Sequence, residues 1–210
     1  MLKKSLTVIL SLILIAMLVA GCSNKDSGED VTSGAVQDQE QAAQESALTG
    51  TTNDILLQLL DDAEASFGGD HPIPSTFIDP VSSLSAPGTL GMNPDDFVSL
   101  TEEATVAIGA MSAIAFQVVV VKAKNSSDAE TVSSMIQKGF DSGKWISVFP
   151  EQSFTMVSGS YVLLAVGSIE QTEAIAAAFK DAAGGVATDP NVFYAGELGG
   201  SGGEPIPVEG

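Results

Sequence analysis

One cysteine, one histidine and no arginine stand among the 210 residues of this chain, so the chemistry open to it is narrow. Cys22 is the only thiol. Intrachain disulfides, thiolate zinc sites of several cysteines and a cysteine nucleophile in the body of the chain are therefore excluded. It directly follows Val19-Ala20-Gly21, at the end of an apolar run from Leu6 to Ala20 that Lys3 and Lys4 precede. A basic start, a short apolar core and small residues at the end make a secretory signal peptide, and the run is shorter than the roughly 20 residues of a bilayer crossing. His71 sits between Asp70 and Pro72 in a proline-rich stretch, and no serine lies in a Gly-x-Ser-x-Gly elbow after a strand, so His71 reads as a loop histidine and not as a catalytic base. Acids cluster at Asp61-Asp62-Glu64, Asp95-Asp96 and Glu102-Glu103. No alternating Asp-x-Asp-x-Asp-Gly ligand pattern accompanies them, and neighbouring residues on a helix diverge. They read as solvated faces. The glycines from Gly199 to Gly203 do not separate a strand from a helix, which excludes a dinucleotide-type phosphate loop.

The position of Cys22 adds a more specific chemistry. Val19-Ala20-Gly21-Cys22 resembles the lipobox of bacterial lipoproteins. The resemblance implies that the Cys22 sulfur receives a diacylglyceryl group, that cleavage falls before Cys22, and that the acylated residue holds the chain at the membrane. Two acyl chains anchor durably where one holds only marginally.

Charge narrows the partners. The formal net charge is −19, and loss of Lys3 and Lys4 with the leader takes it to −21. Nucleic-acid binding needs a basic stripe to neutralise phosphates, and this chain offers the opposite. Anionic headgroups repel it as well, so the lipid on Cys22 and not a basic patch must make the membrane contact.

From Ser23 to about Thr49 the residues are Ser, Asn, Gln, Asp, Glu, Gly and Ala with almost nothing large and apolar, a composition that cannot offset its own ordering entropy. The spacing of Ile55, Leu56, Leu59, Leu60 and Ala63 predicts a helix from Thr52 or Asn53 to Ser66, stopped by Gly68-Gly69. Residues 70–92, with Pro72, Pro74, Pro80 and Pro87, read as an irregular connection, and Pro94 opens a short helical turn. Strands are expected at 103–109, 113–124, 153–157 and 161–166, the last two forming a hairpin across Ser158-Gly159-Ser160. Helices are expected from Ser126 to near Gly143 and from Glu170 to Ala183.

The order is thus β-β-α-β-β-α after an N-terminal helix, an α+β fold: a four-stranded, mostly antiparallel sheet with its helices packed on one face. The halves align, with Phe116, Val118, Val120 and Val121 against Tyr161, Leu163, Ala165 and Val166, and Val132 and Ile136 against Ile175 and Phe179. This alignment is compatible with an internal duplication and with the chance likeness of two amphipathic β-α segments. The expected organisation is a leader at 1–21, the lipidated Cys22 and a disordered acidic tether at 22–50, one domain at 51–185, and a flexible Gly/Pro-rich tail at 186–210.

Within the domain, Met111-Ser112, the run Val118 to Lys124, Ser127 to Val132, Phe149-Pro150-Glu151-Gln152 and Ser158-Gly159-Ser160-Tyr161-Val162-Leu163-Leu164 carry a further likeness. Over residues 91–179 the chain resembles a family of bacterial lipoproteins, most of them from Gram-positive bacteria, whose shared domain has no assigned function. Members place an aromatic-Pro-x-Gln unit before the hairpin and a Gly-x-Tyr-Val turn within it. They often carry an arginine after the second strand, where this chain has only Lys138 and Lys144, a departure that weakens any shared anion site. The resemblance implies an extracytoplasmic domain at the cell membrane and supplies no reaction or cofactor.

Trp145, Phe149 and Phe154 surround Pro150 and could line a groove, pack in the core or cover a sheet edge. Trp145, Phe149 and Tyr161 are the anchors expected for a partner surface, because Tyr and Trp are enriched at binding hot spots; all three could equally fill the core. No cofactor and no catalytic residue is expected. The expected partners are membrane lipid through Cys22 and an envelope protein or small ligand. The reading that follows is a non-enzymatic binding domain. Its alternatives are a carboxylate-dependent envelope hydrolase using Asp95 or Glu151, and a structural spacer in the envelope.

Overall fold

A computed structural model describes residues 46–196 except Gly69, His71, Ser112 and Ile146. The leader, Cys22, the tether up to residue 45, His71 and the chain from residue 197 lie outside the described residues. Among the described residues no helix is long and apolar enough to cross a membrane.

Helix α1 spans Thr52–Ser66, and Thr51 caps it by accepting the Asp54 N–H. A short strand β1, Thr76–Pro80, and a one-turn helix α2, Ala86–Leu90, follow within the stretch expected to be irregular. Helix α3, Pro94–Leu100, has Pro94 in its first turn and Asn93 as its cap. Then come β2 (Thr101–Gly109), β3 (Gln117–Ala123), α4 (Ser126–Gly139), β4 (Gln152–Ser158), β5 (Tyr161–Gly167), α5 (Ile169–Ala182) and β6 (Asn191–Ala195). The strands form one antiparallel sheet in the order β1-β2-β3-β5-β4-β6.

The class is α+β, but the sheet has six strands where four were expected, and helices cover both faces. Ile55, Leu56 and Leu59 of α1 and Ile175 and Phe179 of α5 pack with Val118, Val120, Phe154 and Leu163 on one face. Leu90 of α2, Phe97 of α3, and Val132 and Ile136 of α4 pack with Val119, Val121, Leu164 and Val166 on the other. The reason is topological. The connections β3-α4-β4 and β5-α5-β6 each step over one strand in the same direction along the sheet, while β3 and β5 run antiparallel. Crossovers between parallel strands keep one hand, and a fixed hand with reversed strand direction places the two helices on opposite faces.

The same geometry bears on the likeness of the two halves. Rotating β4–β5 onto β2–β3 about an axis normal to the sheet would leave both helices on one face. They lie on two, so the β-β-α units do not superimpose.

Both ends of the domain extend past 51–185. Strand β6 lies where a flexible tail was expected. On the N-terminal side, Leu48 is buried in the α1–α5 core, Ala47 donates its N–H to Ala183 O at 3.3 Å, and Ser158 Oγ donates to Ser46 Oγ at 2.8 Å. The chain therefore enters the domain beside the β4–β5 turn. That turn is a two-residue loop with Gly159 at φ 59°, the first-position glycine of a type II′ hairpin.

Candidate functional site

Large apolar side chains reach solvent on the β1 edge, at Phe77, and at the end of the sheet where β3 and β4 begin and β5 ends. Phe149 is 66% exposed and Met111 61% exposed there, and Ile169, the first residue of α5, stands partly exposed beside them. Between the 113–115 segment, the 148–151 segment and the start of α5 lies an open cleft of about 330 Å³, lined by Ile114, Val148, Phe149, Glu151, Ser168 and Gln171 among others. That volume is at the lower end of the roughly 300–1,000 Å³ of small-molecule sites.

Local chemistry fixes its walls. Ser168 caps α5 by accepting the Gln171 N–H at 3.2 Å, and Gln171 Oε1 accepts the Ser168 N–H at 3.0 Å in return. The Gln171 amide also donates to Pro72 O at 2.7 Å, which ties the β1 approach to the cleft. Glu151 Oε2 accepts the Ile169 N–H at 2.9 Å, so its carboxylate neutralises the positive end of α5. Glu103 plays the same part at α1, where it accepts the Thr52 N–H at 3.0 Å. Asp61 and Asp62 are solvent-exposed on α1, and Asp95 is exposed in the first turn of α3. The two carboxylates named for a hydrolase thus occupy separate helix N-termini. Among the described residues no group of three or more His, Cys, Asp or Glu could hold a metal ion.

The three expected anchors are not brought together. Phe149 stands on the cleft. Tyr161 is 5% exposed in the α1–α5 core, and its hydroxyl donates to Gly50 O at 3.0 Å, so it is a buried residue that ties down the N-terminal segment. Trp145 lies partly buried against the α4 face, with its ring 6.4 Å from that of Phe140. Phe154 is fully buried on the opposite face, so no groove joins Trp145, Phe149 and Phe154. Between Trp145 and Phe149 the backbone turns at Ser147, whose φ of 71° falls in the left-handed region that non-glycine residues seldom enter.

Sequence reasoning missed Lys144. Its ammonium lies 4.7 Å from the Phe140 ring centroid and 4.9 Å from that of Trp145, and it donates to Gly88 O at 2.9 Å and Gln117 Oε1 at 2.6 Å. Gln117, fully buried, donates in turn to Thr89 O. Burial pushes the Lys144 pKa down to about 8, against a smaller opposing pull from Asp141. This lysine pins the 140–151 segment, and so the wall that carries Phe149, to α2 and β3. The signal was a cation between Phe140 and Trp145 in a lysine-poor chain. No family model, no curated protein and no solved structure matches this chain.

Proposed function

We propose that this chain is an extracytoplasmic lipoprotein, held at the cell membrane by acylated Cys22, whose domain binds an envelope protein or a small ligand at the cleft beside Phe149. On this reading it belongs with the lipoprotein family that its sequence resembles, and it works by binding and not by turnover. The leader and the cysteine that follows it support the anchor. The observation that carries the binding site is Phe149, a large aromatic 66% exposed on the wall of a cleft. The first described residue stands apart from the cleft. Ser46 packs at the hairpin end of β4 and β5, and the cleft lies at the other end of these seven-residue strands, about 23 Å away.

The test is Phe149→Ala in the acylated chain, with recovery of envelope partners by cross-linking as the readout. Phe149 contributes little to the core, so the variant should melt within about 0.5 kcal/mol of the wild type and lose its partners. Full recovery of the same partners would remove the cleft as the binding site.

A further inference from the structure

We infer that the cleft receives a basic side chain, arginine in preference to lysine, from the surface of a partner protein, with its charged head between Glu151 and the Phe149 ring. This deepens the binding reading and rests on it.

The sign of the charge follows from the carboxylate. Glu151 is half-buried on the cleft wall, and only its Oε2 is engaged, by the Ile169 N–H. Among the described residues its Oε1 has no hydrogen-bond partner and the carboxylate has no ion pair. The N-terminus of α5 offsets about half a charge, and Glu170 in the first turn adds a full one, so the site stays negative. No lysine lines the cleft. The donors around it are already taken, the Ile169 N–H by Glu151, the Gln171 N–H by Ser168 and the Gln171 side-chain amide by Pro72 O, which leaves an anion little to bind.

The walls select the rest of the ligand. Ile114, Val148 and Pro150 offer apolar surface to the methylenes of a long basic side chain. Phe149 places an exposed aromatic ring on the same cleft as the carboxylate. A guanidinium can stack on a ring and donate to a carboxylate at once, which a compact ammonium does less well. The source is a protein because Phe149, Met111 and Ile169 stand exposed around the cleft, and a small cation inside it would leave them wet. A partner surface that carries the side chain covers them, in the way that neighbouring contacts keep water from an arginine hot spot. The net charge of −19 adds long-range attraction for such a partner.

The experiment titrates the full-length acylated chain, isotope-labelled in uncharged detergent micelles, with N-acetyl-arginine amide and, in parallel, with its lysine and uncharged norleucine counterparts. The backbone amide resonances of Phe149, Glu151 and Ile169 should shift and saturate, with the arginine compound bound about tenfold more tightly than the norleucine one, as a charge-assisted hydrogen bond provides. Added salt should weaken the arginine compound. Glu151→Gln, whose amide oxygen can still accept the Ile169 N–H, should remove about tenfold in affinity, and Phe149→Leu about threefold, each with an unchanged melting curve. Glu130→Gln, which removes the same charge from an exposed site near the start of α4 at the hairpin end of the sheet, should change nothing. Equal binding of the norleucine compound, arginine affinity that survives Glu151→Gln, or shifts spread over the acidic surface in place of the cleft would each overturn the proposal. In the cross-linking experiment Glu151→Gln should also lose the partners that Phe149→Ala loses. Their full recovery from Glu151→Gln, with loss from Phe149→Ala, would remove the basic side chain and leave the cleft as the binding site.

Discussion

Gly139→Ala separates two arguments that predict opposite signs. Gly139 is the last residue of α4 and is solvent-exposed. On helix propensity alone, alanine there should stabilise the chain by up to about 1 kcal/mol. The tertiary contact says otherwise. A Cβ built on Gly139 would lie 2.2 Å from the backbone oxygen of Gly91, and one built on Gly91 would lie 2.0 Å from the backbone carbon of Gly139. Gly91 closes α2 at φ 71°, so the two helix ends meet backbone to backbone. An ordinary contact requires about 1 Å more room, and neither partner is a side chain that can swing aside. α2 must then move away from α4, which strains the packing of Leu90 with Ile136 and the Lys144 bond to Gly88. Overpacking of this kind costs about 1–3 kcal/mol or more, which outweighs the propensity gain. The expected net loss is about 2 kcal/mol, a fall in melting temperature of roughly 4–8 °C for a domain near 150 residues. Circular dichroism melts of the chain starting at Ser23 measure it. A melting temperature equal to or above that of the parent would refute the α2–α4 contact.

Gly159→Val should cost about 1–3 kcal/mol, because φ is 59° there and a Cβ would sit 3.0 Å from that of Ser46; an unchanged urea midpoint would show a different turn. For Lys144→Met the expectation concerns pH. The folded-state pKa near 8 lies below the ordinary 10.5, so between those values the unfolded chain binds more protons and wild-type stability rises with pH. Subtracting the Met variant cancels the other titrating groups, and the difference should climb by at most about 3 kcal/mol, less whatever water reaching the amine removes; a flat difference between pH 7.5 and 10.5 would contradict the burial. Cys22→Ala should abolish labelling by a palmitate analogue and release the protein from membranes, and retention after a carbonate wash would overturn the anchor.

The central strands and their flanking helices were legible in the sequence because their apolar residues are continuous and periodic. The same continuity held a message that the four-stranded reading passed over. Val118 to Val121 and Tyr161 to Val166 are apolar at odd and even positions alike. A strand with one solvated face alternates, and a run without alternation marks a sheet covered on both sides. The edge strands were not legible for the converse reason. β1 carries Pro80 and exposed Phe77 and Asp79, β6 is five residues long and only half-buried, and neither has a periodic signal to set against the prolines and glycines around it. Missing β6 removed the strand that α5 crosses to, and with it the handedness argument that places α4 and α5 on opposite faces.

The candidate site follows from the same covering. Tyr161, Trp145 and Phe149 look equivalent as aromatic anchors in a sequence, and only their places in the fold distinguish them. Tyr161 opens β5 on the α1–α5 face, so strand alternation turns it inward with Leu163 and Ala165. Trp145 sits under the hold of Phe140 and Lys144 on the other face. Phe149 precedes Pro150, which biases it towards extended backbone, and it stands after the left-handed Ser147, where the chain has left the α4 face and not yet entered β4. Six strands sheathed by helices leave the two edges and the two ends as open sheet surface. The end that receives the N-terminal segment is closed by Leu48 and by the Tyr161 bond to Gly50. The opposite end retains the cleft, and that is why Phe149, and not the more typical hot-spot residues Trp145 and Tyr161, is the side chain on which binding should depend.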